Sequence, residues 1–277
     1  GREQSFRDSA GHATGSLVYV LGQLSYNLGN EARCDGLKQR DLKNPNDKME
    51  MLQFLDKNPW EATSIIWVLE QESTPIYALQ PAGPFARETY QRLCELLRTQ
   101  LEEGVSQVSI PGTLGGAVTL MNGHVVPAIA PDMRGMFGWS TAALIEQVLG
   151  EAPESKKERA QYDRRCREVS NFLERLYYEL SNLGIAPQER AINFAATNIY
   201  QVASVYDEAI DQNLKLDGIS LERSPVCRPG SDCWDVKLTL FDPTKRYERA
   251  REVYRLTVDV SEVIPVTVGK LRHWSVY

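Results

Sequence analysis

The sequence predicts an α+β fold: a long antiparallel helical hairpin packed on mostly antiparallel β-sheet. Three observations carry it. Tyr162, Cys166, Val169, Leu173, Leu176, Leu180 and Leu183 recur at steps of four and three, a heptad stripe along one long helix. Ile192, Ala196, Ile199, Ala203, Tyr206 and Ile210 repeat that spacing after a link of only Gly184-Ile185-Ala186, which is too short to do anything but reverse the chain. β-branched and aromatic runs crowd both flanks of this pair. The hairpin is Lys156–Asn182 against Gln188–Gln212. Its stripe is the helical side of a core, or else a subunit interface.

The elements follow in order. Residues 1–15 are polar, contain His12 and read as a linker or arm, leaving 16–277 as a single domain. Leu17–Leu28 begins continuously apolar and then alternates, so it reads as a strand. Glu31–Leu42 is a weak helix broken by Gly36. Asp47 sits where it can cap a helix Lys48–Lys57, with Met51, Leu52 and Leu55 inward. Ser64–Leu69 and Ile76–Leu79 flank Glu72-Ser73-Thr74-Pro75 and predict a hairpin. Ala86, Tyr90, Leu93, Leu97 and Leu101 mark a helix stopped by Gly104, with Cys94 beside its apolar side as a packed thiol. Val118–Met121 and His124–Val126 flank Asn122-Gly123, a strong hairpin signal. Met133–Trp139 reads as a loop, and Ser140-Thr141 opens a helix through Leu149 that Gly150 stops. After the helical pair, Ile219–Arg223, Val236–Phe241, Val253–Val260 and Val263–Val268 are strand candidates, Lys245–Glu252 a helical turn, and Leu271–Tyr277 a docked tail.

Composition narrows the function classes. The net charge of −6 and the mixing of bases with acids, as in Glu154-Ser155-Lys156-Lys157-Glu158-Arg159, argue against a nucleic-acid partner, which clustered Lys and Arg would bind. No apolar run approaches the ~20 residues of a membrane helix, and the polar start Gly1-Arg2-Glu3-Gln4 is no signal peptide. Five cysteines, an odd number at low density, point to a reducing, cytoplasmic compartment. The long stripe and the aromatic cluster Phe137-Gly138-Trp139 point to a homodimer.

The chemistry-bearing stretch is Cys227-Arg228-Pro229-Gly230-Ser231-Asp232-Cys233. The five-residue gap is longer than the two to four usual for structural zinc, yet Pro229 and Gly230 can fold the loop back and converge the sulfurs. Cys227 and Cys233 are therefore candidate ligands of a structural zinc, with further ligands drawn from His12, His124, His273, an acid such as Asp232, water or another subunit. Ordinary packed thiols and a reversible disulfide stay open beside that reading. No histidine neighbours either cysteine in sequence, which disfavours a catalytic thiol. Asp207, Glu208 and Asp211 read as solvated helix acids, and Gly112-Thr113-Leu114-Gly115-Gly116 lacks the lysine of a phosphate loop.

Asn58-Pro59-Trp60-Glu61-Ala62, Ile110-Pro111-Gly112, Pro187–Asn198, Cys227–Val236 and Val258-Asp259-Val260-Ser261 together resemble, in the same order, the C-terminal domain of the cyanobactin maturation proteases, the PatG- and PatA-like proteins of the patellamide pathway. The resemblance runs from about Ser16 to the end. It implies a place in ribosomal cyclic-peptide biosynthesis, downstream in the chain from a subtilisin-like protease or macrocyclase domain. It does not imply protease activity here, since no Gly-x-Ser-x-Gly and no Asp, His and Ser set in suitable contexts is present. The expectation is a non-catalytic accessory domain that dimerises or organises the protease, or contacts precursor peptide or partner enzymes. The alternative is an enzyme with an unrecognised peptide-tailoring or hydrolytic activity.

Overall fold

The computed structural model describes residues 15–40, 42–201, 214–244 and 251–277. The expected arm falls almost wholly outside them, as do the second half of the predicted Gln188–Gln212 helix and most of Lys245–Glu252. The chain divides into two compact units, Gly1–Gly138 and Trp139–Tyr277.

The first unit is built on five strands: β1 (Leu17–Asn27), β2 (Ile66–Gln71), β3 (Thr74–Leu79), β4 (Val105–Thr119) and β5 (Val125–Pro131). β1 pairs antiparallel with β2, β2 with β3, β4 with β5 and β4 with β1, while β3 and β5 run parallel. The order β1-β2-β3-β5-β4 therefore closes on itself as a barrel, with β6 (Phe137–Ser140) added beside β4. Helix α3 (Ala86–Glu102) lies between the third and fourth strands in sequence and packs on β1 and β4. This is the connectivity of an OB-type barrel. The sequence predicted most of these strands but not their closure, and it placed Phe137–Trp139 in a loop; the structure makes that stretch a strand that buries Trp139.

Closure rests on β1. Its first six residues, Leu17–Gly22, pair with β4, and Gln23–Asn27 pair with β2. The changeover falls at Gly22, where an added Cβ would lie 2.6 Å from the Glu70 carbonyl oxygen and 2.8 Å from Leu69 Cγ. Only glycine lets the strands approach so closely. The β2–β3 turn places Glu72 and Ser73 at φ 49° and 62°, the left-handed region that a two-residue hairpin requires. The insertion between β1 and β2 carries α1 (Glu31–Lys38), α2 (Lys48–Lys57) and a 3-10 turn, Pro59–Ser64. Asp47 caps α2 as expected, accepting from the Glu50 amide at 2.9 Å, and Met51, Leu52, Phe54 and Leu55 are buried.

The second unit begins with α4 (Thr141–Leu149), capped by Ser140, and α5 (Lys156–Glu179). After α6 (Pro187–Gln201) come β7 (Lys215–Arg223), β8 (Cys233–Phe241), β9 (Arg251–Asp259), β10 (Val266–Thr267) and β11 (Arg272–Val276). β7, β8 and β9 pair antiparallel in that order; β10 and β11 both pair with the far edge of β9. Helix α6 packs on β8 and β9, and α5 on β7. Val169, Leu173, Leu176 and Leu180 of the heptad stripe are buried within this single chain. The stripe is thus mainly intramolecular core, and only Leu183 at its end is exposed.

Candidate functional site

Three of the phrases that carry the family likeness, far apart in sequence, meet in the second unit. Arg190 stands in the first turn of α6 and is buried. Its guanidinium donates to the carbonyl oxygens of Ile185, at 3.2 Å, and Val260. The Val260 amide donates to the Asp232 carbonyl at 2.9 Å, and the Asp232 amide to Ser261 Oγ at 3.2 Å. Asp232 Oδ1 accepts from Trp234 Nε1 at 2.8 Å. Ser261 gives its amide, at 3.0 Å, and its hydroxyl to Asp259 Oδ1. The start of α6, the start of β8 and the end of β9 are tied together by these bonds.

The electrostatics of this junction are those of support. Burial lowers the Arg190 guanidinium from its usual value, and the Asp232 carboxylate opposes that shift. Burial pushes Asp259 upward, but hydrogen bonds from the side chain and amide of Ser261, from Ser231 and from the Asp232 amide outweigh it and hold the carboxyl low. Asp235, which the sequence left without a role, is buried; it accepts from Thr257 Oγ1 at 2.6 Å and faces Arg255.

The loop in front of β8 brings Cys227 and Cys233 together as a disulfide with a Cα–Cα distance of 5.7 Å. Cys227 is exposed and Cys233 buried. The Ser231 amide donates to the Arg228 carbonyl at 3.0 Å, and the Ser224 amide to the Cys233 carbonyl at 2.9 Å, so the loop folds back as Pro229 and Gly230 led one to expect. The strand begins at Cys233, three residues before the expected Val236. The sequence offered these two sulfurs to a structural zinc, with a disulfide as an alternative; here they are bonded to each other. Among the described residues, no group of three or more His, Cys, Asp and Glu is placed to hold a metal. His124 is exposed at the β4–β5 turn, His273 stacks on Tyr254 at 4.4 Å and faces Glu252, and His12 lies outside the described residues.

The first unit holds a separate cleft of about 360 Å³ between α2, the 3-10 turn and α3. The family phrase Asn58–Ala62 supplies part of one wall through Pro59 and Ala62, and Trp60 in the same phrase is 65% exposed. Arg98 Nη2 bonds both oxygens of Asp56 at 2.7 and 2.8 Å. Cys94 lines the cleft rather than the core; burial, aided by Asp56 and opposed by Arg98, pushes its thiol up to about 11. A thiol that stays protonated at neutral pH is a poor nucleophile.

The arrangement defines a class first: an OB-type barrel unit followed by a unit of helices on antiparallel sheet, whose described polar clusters are joined by structural hydrogen bonds. Residues 17–120 match the family model described as PatG Domain, and residues 157–274 match that described as PatG C-terminal. A solved structure described as PatG Domain of Unknown Function is 41% identical, with a TM-score of 0.86, over 95% of this chain and 100% of that one. The chain belongs to the family of PatG domains of unknown function. No curated protein matches it.

Proposed function

We propose that the chain is a non-catalytic accessory domain in cyanobactin biosynthesis, which organises the maturation protease or macrocyclase through self-association. One observation supports the non-catalytic reading above others. The phrases around Arg190, Asp232 and Ser261 spend their polar groups on one another's backbone, and the described acids there already face hydrogen-bond donors. A catalytic set would aim a nucleophile and its base at one open point. In this reading α5 and α6 form an antiparallel hairpin that backs the second sheet. Incubation of the purified domain with linear precursor and cyclic peptides tests it by mass spectrometry. Peptide masses should stay unchanged over hours at micromolar domain; cleavage, cyclisation or any added group would establish the alternative, a peptide-tailoring enzyme.

For the Cys227–Cys233 loop we keep a structural zinc as a proposal for the reduced state. The loop positions two sulfurs, half of a tetrahedral set, and the remaining donors would lie outside the described residues of one chain. Elemental analysis of protein purified under reducing conditions should find zinc in stoichiometric amount. The Cys227→Ser/Cys233→Ser double variant should lose it and melt lower. Reduced protein without zinc would leave the disulfide as the working state of this loop.

A further inference from the structure

We infer that the Cys227–Cys233 disulfide is a thiol-exchange site, which a low-molecular-weight thiol opens at Cys227 and which Cys233 closes again. Neither self-association nor a bound zinc is needed for this. The two sulfurs are unequal. Cys227 is exposed, whereas Cys233 is 3% exposed and opens β8. Exchange begins with attack by a thiolate on one sulfur of the pair, and access decides which sulfur that is. The attack therefore falls on Cys227. Arg228, the next residue, is exposed and has no ion-pair partner among the described residues. Its charge favours an incoming thiolate.

The cross-link also has little to hold. The cysteines are six residues apart, and a bond across so short a loop removes little entropy from the unfolded chain. An exposed disulfide of low stabilising weight is of the labile kind. Among the described residues, the hydrogen bonds of residues 225–230 stay within the loop: the Val226 amide donates to Ser224 Oγ at 3.3 Å, and the Ser231 amide to the Arg228 carbonyl at 3.0 Å. Cys227 is thus tied to the sheet through its sulfur. Cys233 is tied through its backbone, accepting from the Ser224 amide at 2.9 Å and standing opposite Asp259 on β9. Asp232 before it is held by Val260 and Ser261. Breaking the bond frees residues 225–230 and leaves the Cys233 thiol in place to re-form it.

The reaction balances in two steps. The entering thiolate bonds Cys227 Sγ while the bond to Cys233 breaks, and Cys233 departs as a thiolate that takes a proton from water. A second small thiolate attacks the small-thiol sulfur of this mixed disulfide, and Cys227 departs and is protonated in turn. The protein disulfide gains two electrons, and two small thiols become one small disulfide. Closure is the reverse: a small disulfide places half of itself on Cys227, and Cys233 displaces it.

Differential alkylation of the full wild-type chain tests the site. The metal-free protein is equilibrated with chelator at graded ratios of reduced to oxidised glutathione, trapped with iodoacetamide and mapped by peptide mass. The free cysteines Cys34, Cys94 and Cys166 are counted separately. The pair should pass from disulfide to dithiol as one unit, and the transient glutathione adduct should sit on Cys227. Cys233→Ser, which lacks the closing thiol, should gain the adduct on Cys227 about tenfold faster, or more, than Cys227→Ser gains it on Cys233. A wild-type pair that stays bonded in millimolar reduced glutathione, or stays reduced in millimolar oxidised glutathione, would overturn the exchange site. An adduct found on Cys233 as readily as on Cys227 would overturn the assigned point of attack. The wild-type titration needs no substitution, so it decides even if a variant fails to fold. Zinc content in parallel samples without chelator decides the metal reading separately.

Discussion

Arg190 enters the interior at the start of α6, where a cation needs protein acceptors in place of the water it gives up. The carbonyls of Ile185 and Val260 do this, with the charge of Asp232 nearby. Asp259 completes the arrangement from the other side by holding Ser261. Its carboxyl is held below the ordinary range, about 3.9 for an aspartate, in the folded chain. A depressed carboxyl adds stability above the unfolded value, and that stability is lost as pH falls through the folded value. Asp259→Asn should therefore lower the melting temperature at pH 7, and its gap from wild type should narrow as pH falls below about 4. Thermal melts of both proteins across pH 2.5 to about 7 check this; a gap that widens on acidification would contradict the assignment. The sequence exposed these residues as parts of recognisable phrases, but not their roles. Arg190, Asp232 and Val260 lie tens of residues apart, and spacing alone does not reveal which backbone carbonyl a buried guanidinium will reach.

Local patterns served well at the scale of the element. The Asn122-Gly123 turn, the Asp47 cap and the Gly150 stop all occur where the sequence placed them, because each depends on chemistry within four or five residues. Phe137–Trp139 was misread for the complementary reason. Gly135 before it and Gly138 within it speak for a loop, whereas pairing with β4 makes the whole of it strand. Barrel closure was also invisible, since it depends on β1 serving two partners in turn. Gly22 is the residue that permits it. Gly22→Ala should cost about 1 to 3 kcal/mol, because backbone and a buried leucine must move aside. Gly36→Ala, in α1 with no atom within 4 Å of the added methyl, should instead gain up to about 1 kcal/mol from helix propensity. Urea unfolding of both variants gives the comparison, and equal effects would refute the closure argument.

At the scale of the whole molecule, the two family-model matches fall one in each compact unit. The α+β class was legible because helical and strand periodicities were segregated along the chain. The basis for self-association changed once the fold was known. Val169, Leu173, Leu176 and Leu180 of the heptad stripe lie in the chain's own core, Trp139 of the aromatic cluster is buried, and Phe137 is 39% exposed. Trp60, Phe85, Val226 and Tyr178 stay exposed, β7 pairs with β8 alone among the described strands, and none of these features has a periodic signature. A strand edge is a property of the sheet order, and the sequence does not encode that order locally. Under the proposed function, self-association would let the domain act by placing its neighbours, because a two-fold contact would bring two attached enzymes together. Light scattering coupled to size exclusion, on reduced protein at tens of micromolar, tests this most directly. The expected molar mass is twice that of one chain and falls toward one chain on dilution; a mass of one chain across the whole range would contradict it.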